Sequence, residues 1–231
     1  MSRIGGRGAA KGADSPELAT RDERKQRTRA SLMDAALTLM SQGRSFTSLG
    51  LREITREAGV VPTSFYRHFR DTDELGLALV EDGGMALRQL LREARKEAAP
   101  VSDIIRRSVL IYKKYLEERR MNFMFIVGER SGGSPVIRSA LRNQVNLFIQ
   151  EMAQDLRRLN FLPHLSTQTL QLLCGLVVNT MLSAASDILD MPPDEPQIEH
   201  AVVENFVRQL RMIFLGALNW KEPAPTKSSG V

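Results

Sequence analysis

Basic side chains are concentrated in the first 70 residues of the chain, and they offer the clearest chemistry in the sequence. The formal net charge of +5 and the pI near 9.6 would by themselves indicate little beyond good solubility. The placement of the basic residues is more informative, because a basic region confined to one part of a protein is typical of a surface that binds a polyanion such as nucleic acid. The residues concerned are Arg21, Arg24, Lys25, Arg27, Arg29, Arg52, Arg56, Arg67 and Arg70.

Residues suited to catalysis are few and poorly arranged. The segment Gly-Glu-Arg-Ser-Gly at 128–132 lacks the spacing of a nucleophile elbow. His164 and His200 lie at predicted helix ends with no carboxylate arrangement beside them. The single Cys174, inside an apolar run, allows neither a disulfide within the chain nor a Cys-rich zinc site. We therefore expect no catalytic residue, no metal and no cofactor.

The two ends of the chain and its longest apolar runs bear on location. Residues 1–20 are rich in Gly, Ala and Arg without an apolar core, and no later apolar run approaches the roughly 18 residues needed to span a bilayer. One cysteine fits a reducing compartment. We expect a cytoplasmic protein with no membrane partner.

Apolar residues recur at three- and four-residue steps along the whole chain, which predicts an all-α fold of about nine helices. Gly83 and Gly84 fall inside the fourth helix, where each costs about 1 kcal/mol relative to Ala, so we expect a kink or close packing there. The predicted helices are 24–42, 51–58, 62–69, a fourth that begins at Asp71 or Thr72 and ends near Ala98, and then 102–120, 122–130, 136–160, 166–189 and 197–220.

The string LREITREAGVVPTSFYRHF at residues 51–69 resembles the DNA-binding signature of the TetR repressor family. Apolar residues Leu51, Ile54, Ala58 and Phe65 would pack the two short helices together, and Gly59 would permit the turn between them. The resemblance implies a homodimeric bacterial repressor on a near-palindromic double-stranded DNA operator. It also implies four segments: a disordered extension at 1–20, a three-helix helix-turn-helix domain at 21–71, a larger helical ligand-binding and dimerisation domain at 72–221, and a disordered tail at 222–231.

The same resemblance assigns roles to individual residues. Tyr66 and His68 match the family's phosphate contacts, although His68 could instead cap or pack locally. Thr63, Ser64 and Arg67 match the exposed early face of the recognition helix. For Arg67 and for Arg52, a solvated or phosphate-bound charge is as good an interpretation as base reading. Thr72 stands where the family commonly has Lys, which leaves its hydroxyl and the helix N-terminus, with Arg70 as a possible substitute.

Three segments resemble one branch of the family more closely: residues 48–54, residues 62–77 and residues 129–132. The branch is that of FabR and DesT, repressors of unsaturated fatty-acid synthesis and desaturation that respond to acyl-CoA or acyl-carrier protein. The resemblance implies control of such genes by long-chain acyl-CoA. Three alternatives stay open: a repressor of an efflux or catabolic operon with another hydrophobic ligand, an activator or a ligand-free architectural DNA binder, or an acyl-binding enzyme.

Met and Phe side chains are dense in the middle of the chain, where they could form either an ordinary core or an adaptable apolar cavity. Nearby basic residues could surround the mouth of such a cavity and bind a phosphate-rich head. These are Arg88, Arg92, Arg95, Lys96, Arg106, Arg107, Lys113 and Lys114. The predicted ligand-binding residues are Ile111, Tyr115, Phe123, Ile126, Phe148, Met152, Val177 and Met181.

The last two predicted helices are apolar on more than one face, so each must be covered on more than one side. We expect a subunit interface built from both of them, and we place Phe206 and Leu210 in it. The alternative is that a helix of this kind lies at the centre of its own domain.

Overall fold

The computed structural model describes residues 20–96, 101–192 and 194–222, and this part of the chain folds into nine α-helices and one 3-10 turn without a β-strand. The all-α prediction is therefore confirmed. The 3-10 turn spans Phe46–Ser48. The helices are α1 (Arg21–Ser41), α2 (Leu51–Glu57), α3 (Pro62–Phe65), α4 (Thr72–Lys96), α5 (Val101–Glu118), α6 (Arg120–Glu129), α7 (Pro135–Arg158), α8 (Thr167–Leu189) and α9 (Pro196–Leu218).

The third helix is shorter than predicted. It ends at Phe65 and continues as a hydrogen-bonded turn, in which Phe69 still donates its N–H to the Phe65 carbonyl at 2.9 Å. Pro62 occupies the first turn, where a missing N–H costs nothing. Both phenylalanines are buried, so the turn keeps two aromatic anchors on the inner side of a very short segment.

The inner ends of the two predicted disordered tails make capping hydrogen bonds. The Thr20 hydroxyl accepts from the N–H of Glu23, and the Glu23 carboxylate accepts from the N–H of Thr20, which forms a capping box for α1. At the other end, Glu222 accepts from the N–H of Ser166 at 2.6 Å and from the Thr169 hydroxyl at 2.9 Å, at the start of α8. The rest of those tails, residues 1–19 and 223–231, lies outside the described residues.

Two apolar cores form, one under each half of the molecule. We call α1–α3 the head and α4–α9 the body. The head core combines buried residues of α1–α3 with Leu75, Leu79 and Val80 of α4, and it is closed by three residues of α6 and α7, namely Phe125, Ile137 and Leu141. The body core is built mainly from α5–α9. The head core is therefore completed by the body.

The apolar stripe of α9 serves the core of its own protomer. Phe206 and Leu210 are buried in the body core, and the Phe206 ring meets Tyr112 edge to face at 6.0 Å. The placement of these two residues in a subunit interface was therefore wrong, because packing against α5 and α8 already covers them. A second apolar stripe stays exposed on α8 and α9. It is formed by Leu172, Leu176, Met212, Leu215 and Leu218.

Helix α8 corrects an expectation about apolar runs. Its length and a mean hydropathy of 1.7 over 18 residues meet the criterion for a membrane span. From the sequence, no apolar run was expected to come near that criterion. Half of that window is buried inside the protomer, where α8 packs between α7 and α9. A core helix passes the same criterion, and this packing accounts for the hydropathy.

Close packing explains the paired glycines of α4. A Cβ atom on Gly83 would lie 3.1 Å from the Ile126 side chain, and a Cβ atom on Gly84 would lie 3.1 Å from the amide oxygen of Gln144. Gly76 is tighter still, with Ile137 at 2.6 Å. Of the two expectations for Gly83 and Gly84, close packing is the one present in the structure.

Candidate nucleic-acid interface and ligand cavity

A buried contact and a tight turn at a glycine fix α3 against α2. Ile54 and Phe65 are fully buried beneath the two helices. Gly59 has a φ of 66°, a left-handed conformation that glycine adopts without steric cost. The N–H of Val60 then donates to the Thr55 carbonyl at 2.9 Å, which closes the turn. The outer surface of α3 is thereby held in one orientation by contacts on its inner side.

An ion pair that the sequence analysis missed holds the start of α2. Arg44 donates two hydrogen bonds to the Glu53 carboxylate, at 2.8 and 3.1 Å, and a third to the Ser48 carbonyl. Glu53 also accepts from the N–H of Gly50 at 3.1 Å. Two hydrogen bonds lower the pKa of Glu53 to about 2: the bond from Arg44 has the larger effect, and the bond from the Gly50 N–H has the next largest. In a capping box a glutamate stands three residues after the N-cap residue, and Glu53 has this spacing from Gly50. That spacing is the sequence signal from which the contact could have been predicted.

The predicted DNA-binding residues lie within 21 consecutive positions. Arg52 is on α2, and Thr63 and Ser64 are on α3. Tyr66, Arg67 and His68 are in the turn that follows α3, and Thr72 is the first residue of α4. Four are exposed: Arg52, Thr63, Tyr66 and Arg67. The Tyr66 side chain is the most prominent apolar surface among them, with 65% of its area exposed. The other three, Ser64, His68 and Thr72, are half-buried. The structure therefore presents the set as one short, continuous segment.

His68 lies among cations contributed by α1 and by the turn that follows α3. Burial lowers the pKa of its imidazole, and the positive charges of Lys25, Arg29 and Arg67 lower this pKa further. Its Nδ1 is buried without a hydrogen-bond partner, so it does not act as a local cap through that atom. Arg29 also stands over the Phe69 ring at 5.0 Å. We call Lys25, Arg29 and Arg67 the basic patch.

The start of α4 is held by hydrogen bonds to two acidic side chains. Asp71 accepts from the N–H of Glu74 at 2.8 Å, and Glu74 accepts from the N–H of Arg70 at 2.6 Å. Asp71 is thus the cap, and Thr72 is the first helical residue. The Arg70 guanidinium bonds Glu74 at 3.1 Å while 84% of its side chain stays exposed. These bonds fix the end of the DNA-binding segment to the body.

A buried carboxylate joins α6 to the head. Glu129 is buried at the end of α6, accepts a hydrogen bond from the N–H of Phe46, and keeps its Oε2 without a partner. Burial raises the pKa of Glu129. A Cβ atom on Gly132 would lie 2.5 Å from that carboxylate, so glycine makes room for it. The segment 129–132 therefore contacts the 3-10 turn of the head.

An apolar cavity of about 70 Å³ lies in the body between α4, α5, α6, α7 and α8. Among the predicted ligand-binding residues, Phe123, Ile126, Phe148 and Met181 line it. The sequence analysis missed the contributions of α4 and of the first half of α7. The complete lining is Val80, Gly83, Gly84, Leu87, Arg88, Tyr112, Phe123, Ile126, Leu141, Gln144, Val145, Phe148, Val178, Met181 and Leu182.

The other four predicted ligand-binding residues lie elsewhere. Tyr115, Met152 and Val177 are buried in the body core and do not line the cavity. Ile111 lines an open groove on α5 together with Arg106, Arg107, Leu110 and Lys114. Spacing along a helix identified these residues as apolar and inward, but it does not separate a cavity wall from a packed core.

Three of the eight basic residues proposed for the cavity mouth form ion pairs away from the cavity lining. Arg88 lines the cavity, and Arg92 lies one turn further along α4. Arg106 bonds Glu204, Lys113 bonds Glu117 and Glu199, and Lys114 pairs with Glu118. Arg107 lines the α5 groove, and the side chains of Arg95 and Lys96 lie outside the described residues.

Two family models match the chain. Residues 32–79 match the model described as "Bacterial regulatory proteins, tetR family", and residues 101–213 match "Tetracyclin repressor-like, C-terminal domain". The first covers α2, α3 and their flanks, and the second covers most of the body. The DNA-binding segment falls in the first match and the cavity lining from α5 to α8 falls in the second, whereas the lining residues of α4 lie between the two matches.

Solved structures share the fold over most of the chain. The fatty acid degradation regulator FadR from Bacillus halodurans has a TM-score of 0.65 at 16% identity, over 84% of this chain and 97% of its own. Salmonella enterica GusR has a TM-score of 0.66 at 18% identity, over 84% and 96%. A candidate fatty acid metabolism regulator from Clostridium perfringens has a TM-score of 0.61 at 16% identity, over 78% and 97%.

At these identities the likeness concerns the fold alone, and the two family models identify the kind of protein. The described helices follow the same plan as proteins that regulate transcription. Fold, helix-turn-helix and family match agree, so the chain belongs to the TetR family of bacterial transcription regulators.

Proposed function

We propose that this regulator is a homodimeric cytoplasmic repressor of fatty-acid desaturation or unsaturated fatty-acid synthesis genes, with long-chain acyl-CoA as its effector. One observation carries the proposal: the apolar cavity shares its wall with the head core. Val80 and Leu141 belong to the head core and also line the cavity, and Ile126 packs against both cores. A ligand that changes the shape of the cavity therefore presses on the core of the DNA-binding head.

The chemistry of the cavity suits an acyl chain. Its walls are mainly aliphatic and aromatic, with Phe123, Phe148 and Met181 as large, adaptable side chains. Two of the structurally similar proteins are described as regulators of fatty acid degradation or metabolism, which supports a fatty-acyl ligand. At about 70 Å³ the cavity is too small for a long acyl chain with its walls as they stand. Binding of a long chain thus requires side chains to move, and such movement is what a sensor needs.

The proposed dimer uses the exposed apolar stripe of α8 and α9. Leu172, Leu176, Met212, Leu215 and Leu218 are all exposed in the protomer although they are large and apolar. Isologous packing of this surface would form a four-helix interface and hold two recognition helices about one DNA turn apart. A near-palindromic operator follows from that symmetry.

The experiment has two steps on the full-length protein. Fragments of genomic DNA that bind the protein are selected first, and we expect genes of desaturation or unsaturated fatty-acid synthesis beside them. Fluorescence anisotropy on the recovered operator then compares saturated and unsaturated acyl-CoA. Coupling of about 1–3 kcal/mol would change operator affinity roughly 5- to 150-fold. Identical curves with both ligands and with none would contradict the acyl-CoA assignment.

A second candidate function is supported by the small size of the cavity. A compact hydrophobic ligand would need less rearrangement of the walls than an acyl chain. The regulator would then control another operon, for efflux or catabolism. Operators beside such genes, together with no response to either acyl-CoA, would favour this alternative.

A further inference from the structure

We propose that Arg88 and Gln144 form the polar end of the ligand site and bind the C1 oxygen of the acyl group, either the thioester carbonyl or a carboxylate. The inference rests on the proposed acyl ligand and specifies how that ligand is oriented. The sequence pattern offered Arg88 only as one of eight basic residues near the cavity mouth, and it did not offer Gln144.

Polar atoms in the cavity wall are concentrated at one place. Among the described residues that line the cavity, three have polar side chains: Arg88, Tyr112 and Gln144. The Tyr112 hydroxyl already donates to the Met181 carbonyl at 3.0 Å. The guanidinium of Arg88 donates to the amide oxygen of Gln144. In an otherwise apolar cavity, this pair is where a polar group of a ligand can replace a protein partner without being left unpaired.

The charge balance around Arg88 favours such an exchange. Its side chain is only 13% exposed, and its Nε lies 3.6 Å from Glu151. The same carboxylate lies closer to Arg92, at 3.0 Å. Glu151 therefore keeps a cationic partner if Arg88 turns towards a ligand. Arg88 has five N–H donors, so it can bind a ligand oxygen and retain a bond to Glu151 or Gln144.

Gly84 provides the space that this pair occupies. A Cβ atom at this position would lie 3.1 Å from the Gln144 amide oxygen and 3.2 Å from the nearest Arg88 nitrogen. Glycine inside a helix costs about 1 kcal/mol relative to alanine. Close approach of two polar side chains, rather than backbone flexibility, gives this glycine a role.

The arrangement orients the acyl chain towards the head. Arg88 and Val80 are eight residues apart on α4, which corresponds to about 12 Å along the helix axis. A chain anchored by its C1 oxygen at Arg88 would run towards Val80, Ile126 and Leu141, where the two cores meet. A cis double bond partway along the chain changes how the far end fills this region. Unsaturation thus acts at the wall shared with the head core.

The test measures ligand binding by isothermal titration calorimetry with oleoyl-CoA and with oleate, both below their micelle-forming concentrations. The variants are Arg88→Met and Gln144→Leu, and the control is Arg142→Met, which removes an exposed cation from the same helix as Gln144. We expect at least a tenfold loss of affinity in the two cavity variants and less than a twofold change in the control. A larger loss for oleate identifies a carboxylate as the natural head, and an equal loss identifies the acyl carbonyl.

Two further results separate this inference from the proposed function. If the wild type binds the ligand and both Arg88→Met and Gln144→Leu bind it equally well, the polar-end assignment is overturned and the acyl-sensor proposal stands. No binding of either compound to the wild type overturns both. If thermal melting shows that Arg88→Met is unfolded, Gly84→Ala replaces it, because it keeps all polar groups but crowds them. We then expect a several-fold loss, and unchanged binding in Gly84→Ala and Gln144→Leu overturns the assignment.

Discussion

The head and the body use polar groups in opposite ways. In the head, Arg44 and Glu53 hold α2 through a two-bond ion pair, and Asp71 and Glu74 cap the helix that follows α3. Each of these side chains keeps the same hydrogen-bond partners, and together they hold the DNA-binding segment in one position. In the body, Arg88 is shared between Gln144 and Glu151, beside a cavity. A fixed region reads DNA, and a region with exchangeable partners and spare volume can respond to a ligand.

The two regions are joined by apolar contacts more than by polar ones. The head core would be open without Phe125 and Ile137, which come from α6 and α7. Val80, Ile126 and Leu141 then connect that core to the cavity wall. The comparison therefore predicts that changes in the body reach the head through a small number of buried side chains.

The largest expected effect comes from removing the ring of Phe125. This ring is fully buried and meets Phe46 edge to face at 5.1 Å. Phe125→Ala should lower the free energy of unfolding by about 3–5 kcal/mol, as should Phe206→Ala in the body core. Urea unfolding checks both values.

The pair of variants separates the two cores by function. At a temperature where both variants stay folded, Phe125→Ala should weaken operator binding markedly, since it loosens the head core from the body side. Phe206→Ala should have a smaller effect on operator binding. Equal operator affinities for the two variants would show that the head does not depend on α6.

The second prediction concerns the exposed stripe of α8 and α9. Leu172→Glu or Met212→Glu should give monomers, because a charge would be buried against the same surface of the partner. Met124→Glu is the matched control, since Met124 is also an exposed methionine but lies on α6. Light scattering measures the mass in solution. Dimers in both stripe variants would place the interface elsewhere.

A third prediction distinguishes base reading from phosphate contact in the head. Arg67→Ala should relax discrimination at one base pair in each half-site by about 1–3 kcal/mol, if its guanidinium reads a base through two bonds. Tyr66→Phe should instead weaken binding to specific and random DNA by similar factors. Competition titrations with operator and random duplexes measure both. Unchanged specificity in Arg67→Ala would remove this residue from the readers.

The smallest expected effect is the pH dependence of operator binding through His68. In the free protein, burial and the basic patch lower the pKa of His68 below its usual 6.5, so the ring is neutral at pH 7. A nearby phosphate would favour the charged ring and raise this pKa, so binding takes up a proton. Operator affinity should therefore rise a few-fold as pH falls from 8 to 6. Anisotropy with His68→Gln should lose this slope, and an equal slope in the variant would exclude His68 as its source.

The DNA-binding segment could be predicted from the sequence because it is continuous. Gly59, Pro62 and Phe65 each have a local conformational reason for their place, and the exposed residues lie between them. Asp71, which caps α4, is one of the two residues predicted for the start of that helix, whereas the bond of Glu53 to the Gly50 N–H was missed although its spacing was available. A motif of this kind carries its own geometry.

The cavity could be predicted only in part, because it is assembled from five helices. Phe123 and Met181 are 58 positions apart, and periodicity shows that each is inward-facing without showing what it faces. Tyr115 and Val177 have the same pattern but pack into the core. Gln144 and Gly84 have no apolar signal at all, and their role depends on a contact between α4 and α7. Tertiary packing decides these positions.

The central claim is that a ligand in the body changes the spacing of the two heads, and the distance between spin labels in the dimer tests it most directly. A single cysteine at the exposed Glu57 position, with the buried Cys174 replaced by alanine, places one label near each recognition helix. Pulsed electron resonance then gives the distance distribution with and without oleoyl-CoA. We predict a shifted distribution with the ligand in the labelled protein and, at a ligand concentration just sufficient to saturate that protein, a smaller shift when Arg88→Met is added. The same distribution with and without oleoyl-CoA, at ligand concentrations that saturate binding, would contradict the account.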